Sequence, residues 1–136
     1  MGIPIFIIDG SKFSTLEEFY DHISTVFSLP SWWGRNLDAF DELFHSDILP
    51  AQGYHIIWKN IAVSQQRLGY EETVRQLSER LETCDPNNIA HIKEDLEKAQ
   101  NGLGPTVFDW LIEIICDYCK ESGETENKND FSCDSL

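Results

Sequence analysis

Three carboxylates stand close together between residues 36 and 45, where apolar residues recur at helical spacing. At about 100° per residue, such a helix has two faces. The apolar face would consist of Leu37, Phe40, Leu43 and Phe44, and the acidic face of Asp38, Asp41 and Glu42. Acids three or four residues apart repel one another by a few tenths of a kcal/mol per pair. Attraction to the cations of a bound partner would outweigh that repulsion. The pattern indicates either a solvated helix face or a docking surface for a basic partner.

Two tryptophans and a glycine, Trp32, Trp33 and Gly34, come directly before this helix, and Asn36 is its predicted N-cap. Two indoles are difficult to bury together where the chain turns at a glycine, so we expect one of them to face a partner. Tryptophan is frequent among interface anchors because it buries a large area at little cost in side-chain entropy. The alternative is that both indoles cover the core of the domain itself.

Other residues that could do chemistry form weaker patterns. Cys116 and Cys119 make a single CxxC pair, which we interpret as reduced core thiols rather than zinc ligands. His45 follows Asp41 by four residues and could share a divalent ion with it, but a histidine beside the negative end of a helix is the more ordinary explanation. The sequence contains no GxSxG, Walker or dinucleotide-binding motif. We therefore predict no metal, no cofactor and no enzymatic activity.

Composition narrows the choice of partners. The 24 Asp and Glu residues exceed the 10 Lys and Arg residues, which gives a net charge of -14. Such a charge disfavours direct binding to nucleic acids and anionic membranes and attracts basic proteins. No apolar run is long enough to span a membrane, and no signal peptide is recognisable. We expect residues 1–136 to form a single domain in the cytoplasm, monomeric until a partner binds.

The order of elements in the first half predicts an α/β fold with a parallel sheet. A continuous apolar run at residues 3–9 predicts a strand covered on both faces, and residues 54–58 predict a second buried strand. Between them, Ser14 and Glu17 match a capping box that opens a helix reaching Phe27. The acidic helix follows that first helix.

The second half is mainly helical in pattern. Helices are predicted over residues 65–83 and 88–100, and another follows a cap at Thr106 and continues to Tyr118. The polar residues 121–130 predict a mobile segment. After them, FSCDSL is compatible both with a short terminal strand and with a frayed end.

The motif around the tryptophans resembles the signature of the barstar family of ribonuclease inhibitors, LP-x-YYG-x-NLDAL, with tryptophan in place of tyrosine. The matching residues are Leu29, Pro30, Trp32, Trp33, Gly34, Asn36, Leu37, Asp38, Ala39 and Leu43. The segments IIDG and YHIIWKN are similar to the family's first two strands, so the resemblance covers about residues 3–60. It implies a barstar-like three-stranded parallel sheet packed by helices. The helices predicted between residues 65 and 101 are additional to that pattern, lying between the second strand and the last main helix.

The resemblance also implies a function and its residues. In the family, an aromatic residue and acids around the second helix plug the active site of a ribonuclease and imitate the phosphates of RNA. Trp32 matches the aromatic residue, Asp38 the first acid and Glu42 the central acid. Asp117, with Glu121 as second choice, matches a carboxylate on the helix before the last strand.

Two departures from the family pattern change the shape of the implied plug. Glu42 stands where the family has the shorter aspartate, and Asp41 stands where it has tryptophan. One methylene more and one aromatic ring fewer would alter the depth of the plug, which argues against barnase itself as the target.

Two functions of different classes follow. The first is inhibition of a basic ribonuclease toxin by a bacterial immunity protein. Its partner-binding residues would be Trp32, Trp33, Gly34, Asn36, Asp38, Asp41, Glu42 and Asp117. The alternative is an acidic adaptor or nucleic-acid mimic that binds a basic protein other than a nuclease.

Overall fold

The computed structural model describes residues 4–50 and 53–118 and the strand backbone of 129–133. Its elements in chain order are β1 (Ile5–Asp9), α1 (Leu16–Val26), α2 (Leu37–Leu43), β2 (Tyr54–Lys59), α3 (Ile61–Arg67), α4 (Tyr70–Thr83), α5 (Ile89–Gln100), α6 (Val107–Tyr118) and β3 (Asn129–Cys133). Short 3-10 turns lie at Gly10–Lys12 and Pro86–Asn88. Among these residues, no helix has the length and apolar character needed to cross a membrane.

The sheet is parallel, and β2 lies at its centre. β1 pairs with one edge of β2, with Ile5 opposite His55. β3 pairs with the other edge, with Asn129 opposite Tyr54. Parallel neighbours require crossover connections, which α1 and α2 provide between β1 and β2, and the later helices between β2 and β3. The predicted α/β class with a small parallel sheet is confirmed.

β1 is not covered on both faces, so that expectation was wrong. Ile8 is fully buried, but Ile5 and Ile7 on the opposite face are 58% and 43% exposed. Burial also alternates along β2, where Tyr54, Ile56 and Trp58 are buried and the residues between them are partly exposed. Successive side chains of a strand point to opposite faces of the sheet, and only one face of β1 and β2 lies in the core. The continuous apolar run at residues 3–9 therefore did not indicate burial on both faces.

The core fixes the apolar face of α2. At its centre the fully buried indole of Trp58 stacks on Phe19 of α1, with ring centroids 5.8 Å apart, and donates a 2.9 Å hydrogen bond to Ser64. Phe108 of α6 meets the same indole at 5.6 Å. Phe40 of α2 packs edge-on against Phe19 at 5.4 Å. Because Phe40 is held in this cluster, Asp38 and Glu42 on the other side of α2 are exposed, and Asp41 is partly buried.

The first helix begins one residue later than the sequence suggested. Thr15, not Ser14, is the N-cap, and its hydroxyl accepts a hydrogen bond from the Glu18 amide at 3.1 Å. Glu18 in turn accepts from the Ser14 amide at 2.7 Å. Ser14 with Glu17 and Thr15 with Glu18 both have the spacing of a capping box. The sequence pattern alone therefore does not show at which residue the helix begins. Glu17 instead bonds to α4.

The helix predicted over residues 65–83 is two helices, α3 and α4. The chain turns between them at Leu68, which is buried and whose carbonyl accepts a hydrogen bond from the Phe108 amide at 3.1 Å. Gly69 is the N-cap of α4. Leu68 lies in the turn but packs into the core. The helical spacing of apolar residues therefore continues through the turn, although the helix does not. The helix predicted over 88–100 is confirmed as α5.

A buried carboxylate joins α4 to α1. Glu72 is 5% exposed and accepts a 2.9 Å hydrogen bond from the Leu16 amide at the first turn of α1. It also accepts hydrogen bonds from Arg75 and Gln76, at 2.7 to 3.0 Å. Paired and fully bonded in this way, a buried acid does not incur the cost of an isolated charge.

The C-terminal predictions are only partly covered by the structure. Cys116 is exposed, so it is not the core thiol that its spacing suggested, and Cys119 lies outside the described residues. Of the segment predicted to be mobile, residues 121–128 also lie outside them, whereas 129–130 belong to β3. The first residues of FSCDSL continue that strand to Cys133. Among the described residues, no group of three potential ligands could hold a metal ion.

Candidate partner-binding site

The loop before α2 is fixed by Asn36. Its side-chain oxygen accepts a hydrogen bond from the Ala39 amide at 2.7 Å, and its side-chain nitrogen donates to the Gly34 carbonyl at 3.3 Å. A Cβ added at Gly34 would lie 2.9 Å from the Cβ of Ala39, so the loop passes too close to the helix for a larger residue. The predicted cap is confirmed, and both residues shape the loop.

The two tryptophans have opposite environments. Trp33 is 6% exposed, and its indole nitrogen donates to the Ser24 hydroxyl at 2.8 Å while its ring meets Tyr20 edge-on. Trp32 is 78% exposed. The core and α1 cover most of the Trp33 surface, and its role as a contact residue stays a prediction. Trp32 is the indole that faces solvent.

Asp38 and Glu42 lie on the outer face of α2 and are both exposed. Among the described residues, neither makes an ion pair. The nearby cation Arg35 is bound elsewhere, since its guanidinium donates to Asp21 at 2.6 Å. Within residues 4–50 and 53–118, no ion pair neutralises these two exposed acids, which therefore present negative charge to solvent.

Asp41 differs from the other two acids because it is partly buried and lies near the phenol of Tyr118 on α6. The Asp41 carboxylate, together with burial and the negative charges of Asp117 and Glu42, raises the pKa of Tyr118 to about 12. His45 contacts the same hydroxyl through Nε2 at 2.5 Å. The tyrosine thus connects the end of α2 to the end of α6.

The contact between α2 and α6 brings Asp117 towards the acidic face. The ring of Phe44, at the C-cap of α2, stacks on Tyr118 with centroids 5.1 Å apart and planes within 4°. Asp117 is exposed and adjoins Tyr118 in the chain. Carboxylates from two helices therefore share the region around Tyr118, and the role of Asp117 as a contact residue stays a prediction. Glu121, the second choice, lies outside the described residues.

A family model described as Barstar (barnase inhibitor) matches residues 3–96, which is more than half of the chain. This protein belongs to the barstar family. A search of curated proteins finds no match. The family match spans β1 to α5, including the tryptophans and α2, whereas α6 and β3 follow the last matched residue.

Beside the exposed indole, this barstar-family protein has a groove of about 280 Å³. It runs between the tryptophan loop and the C-terminal half of α2, and continues to Ile48. Its walls are mostly apolar, with Trp32 and Leu43 among them, and Glu42 and Ser46 add polar groups. Such a groove accommodates a side chain with an apolar stem and a cationic head, because the stem can contact the apolar walls and the head can contact the Glu42 carboxylate.

Sequence reasoning missed Tyr118 as a part of the site. It assigned this residue to the apolar face of α6, and no local pattern connects it to His45, 73 positions away. The ordinary explanation of His45, a helix-end histidine beside a negative terminus, did not include the phenol. Only the packing of α6 against α2 places the two side chains together.

Proposed function

We propose that this barstar-family protein inhibits a ribonuclease by placing the acidic face of α2 and the Trp32 indole in the enzyme's basic active site. The observation that carries the proposal is that Asp38 and Glu42 are exposed and have no ion-pair partner among the described residues. A cationic pocket that normally binds RNA phosphates offers the partners that these carboxylates lack in the part of the chain that the structure describes.

The proposed contacts stabilise the complex in two ways, by charge-assisted hydrogen bonds and by burial of apolar surface. Asp38 and Glu42 accept charge-assisted hydrogen bonds from arginine, lysine or histidine of the enzyme. Trp32 contributes a large apolar surface beside them, and it is already exposed, so binding requires no rearrangement of the core. Asp117 adds a second negative group from α6. Removal of an acid at the centre of such an interface typically costs about 2–4 kcal/mol.

The rest of the loop supports these contacts without making them. Trp33 anchors the loop to α1 through Ser24, and Asn36 and Gly34 set its path into the helix. A longer side chain at Gly34 would push against Ala39 and disturb the cap. We therefore assign Trp33, Gly34 and Asn36 to shaping the surface.

The charge of the whole molecule suits this role. A net charge of -14 accelerates encounter with a basic enzyme and repels the RNA that competes for the same pocket. In the cell that makes a secreted ribonuclease, or in its neighbours, such a protein would act in the cytoplasm as immunity to the toxin. It does so by occlusion and needs no catalytic group of its own.

The direct test is an RNA-cleavage assay with the purified protein. The ribonuclease that co-purifies with the protein from its native cell is the first enzyme to try, and barnase, which the residues at positions 41 and 42 disfavour as the target, is the second. Stoichiometric loss of cleavage supports the proposal. If the captured partner is instead a basic regulator or chromatin-type protein, and neither ribonuclease is inhibited, the acidic adaptor or nucleic-acid mimic is the better explanation.

A further inference from the structure

The acidic face of α2 has a cation close to it in the chain, and that cation is paired with a different helix. Arg35 is the only lysine or arginine in residues 13–58, and it stands three residues before Asp38. Its guanidinium Nη1 donates to the Asp21 carboxylate of α1 at 2.6 Å. A longer contact of 3.5 Å joins its Nη2 to the Ser24 hydroxyl on the same helix. The charge of Arg35 is therefore compensated on α1.

The loop before α2 sets the position of Arg35. Its φ of +52° lies in the left-handed region, which residues other than glycine seldom adopt. The loop is anchored on both sides of this residue, since the Trp33 indole donates to the Ser24 hydroxyl at 2.8 Å and Asn36 caps α2. Ser24 in turn donates to the Tyr20 carbonyl at 2.6 Å. The Arg35 side chain therefore starts from a backbone that is held against α1.

Without the Asp21 carboxylate, the acid nearest to Arg35 along the chain is Asp38. Three residues of chain span at most about 10 Å, a distance that these two side chains can bridge. The next acids of α1, Glu17 and Glu18, already have hydrogen-bond partners. A guanidinium paired with Asp38 would neutralise one of the two charges that the proposed function needs, and a partner would have to displace it.

We propose that Asp21 is a positioning residue, which holds the Arg35 guanidinium on α1 and so keeps the acidic face of α2 charged for its partner. This inference rests on the proposed function, because it concerns the charge of the same binding surface. The two side chains of the ion pair are 51% and 62% exposed, and exposed pairs contribute little to folding. Loss of Asp21 should therefore change the charge of the surface much more than the stability of the fold.

Three variants and a control separate this role from direct contact. Asp21→Ala frees the guanidinium, Arg35→Gln removes the cation but keeps a long side chain, and the double variant removes both charges. The control is Glu71→Ala, which removes an exposed acid from α4. Asp21→Ala and the control both change the net charge from -14 to -13, whereas the double variant keeps -14. Total charge and local charge are thereby separated.

The inhibition constant against the ribonuclease that co-purifies with the protein measures the effect on binding. Asp21→Ala should weaken inhibition about fivefold, because the freed guanidinium competes with the cations of the enzyme for Asp38. Arg35→Gln and the double variant should both stay within about twofold of wild type, because neither contains the competing cation. Glu71→Ala should also stay within about twofold. Damage to the loop would not be repaired by removing a second side chain, so recovery in the double variant distinguishes positioning from a structural role.

Three results would overturn the inference. A double variant as weak as Asp21→Ala would mean that Asp21 contacts the enzyme or only supports the loop. Equal inhibition by Asp21→Ala and Glu71→Ala would mean that total charge alone matters. A loss of fivefold or more in Arg35→Gln would mean that Arg35 itself contacts the enzyme.

The free protein tests the same role without a ribonuclease. In wild type, nuclear Overhauser effects from the Arg35 Nε proton should reach Asp21, and in Asp21→Ala they should reach Asp38 instead. The midpoint of urea unfolding should be the same in Asp21→Ala and Glu71→Ala. If Arg35 does not approach Asp38 in Asp21→Ala, the inference is wrong. If the wild type inhibits no ribonuclease, the proposed function fails, while these NMR contacts still decide whether Asp21 controls the position of Arg35.

Discussion

At the scale of single residues, two adjacent tryptophans provide a matched pair. Trp33→Ala should lower the free energy of unfolding by about 3–5 kcal/mol, because it empties a core site and removes the indole donor to the Ser24 hydroxyl. Trp32→Ala should change it by less than about 0.5 kcal/mol, since that indole is 78% exposed. Urea unfolding measures both. Equal effects of the two substitutions would contradict the assigned environments.

A second residue-scale prediction concerns acid stability. Asp9 accepts hydrogen bonds from the Asn60 side chain and from Ser11, which together lower its pKa from 3.8 to about 2. A carboxyl group with a depressed pKa stabilises the fold above its ordinary pKa, and this stabilisation disappears as the pH falls through the folded value. We expect a loss of about 1–2 kcal/mol between pH 4.5 and pH 2, reduced from the full linkage value because the group is partly exposed.

Unfolding measured across that pH range with Asp9→Asn as the reference isolates this contribution. The difference in unfolding free energy between wild type and variant should shrink as the pH falls. A difference that stays constant from pH 5 to pH 2 would show that the folded state does not favour the ionised form of Asp9.

The roles of some single residues could be predicted from the sequence, and those of others could not. Asn36 was recognised as a cap because capping depends on neighbours in the chain. The capping box of α1 was misplaced by one residue, since Ser14 with Glu17 and Thr15 with Glu18 have equal spacing. The contact of Tyr118 could not be found at all, because its partner His45, just after α2, is 73 residues away in sequence.

At the scale of elements, Glu72 is the polar link between α4 and α1. Glu72→Ala should cost more than about 3 kcal/mol, because the buried amide of Leu16 loses its acceptor and the guanidinium of Arg75 loses one of its three carboxylate partners. Glu72→Gln keeps one acceptor oxygen and should cost less. The exposed neighbour Glu71→Ala is the control and should lie within about 0.5 kcal/mol of wild type in chemical unfolding. If Glu72→Ala is as stable as this control, Glu72 does not stabilise the contact between α4 and α1.

The elements themselves were predicted well where their periodicity was local. The strand at 54–58, α2 and α5 follow directly from apolar spacing and caps. The break at Gly69 was not recognised, since Leu68 continues the apolar period while it packs from a turn. The exposed face of β1 was also missed, because an apolar run does not reveal how many faces of a sheet are covered.

At the scale of the whole molecule, the total charge and the local charge of the α2 surface have different effects on binding. Association with a basic enzyme should slow as salt increases, because a net charge of -14 steers the encounter over long distances. Tight binding should instead depend on acids at the α2 surface. The chain allows the two contributions to be separated, since it has many exposed acids elsewhere.

The central claim is that the α2 acids bind a ribonuclease, and its most direct test is the inhibition constant in the RNA-cleavage assay for two double variants. Asp38→Ala with Glu42→Ala removes two charges from the site. Glu94→Ala with Glu97→Ala removes two from the exposed side of α5, so that both proteins change from -14 to -12. We predict that the first pair weakens inhibition more than 100-fold and the second less than about threefold. Equal weakening by both pairs, or undiminished inhibition by the first, would contradict the account.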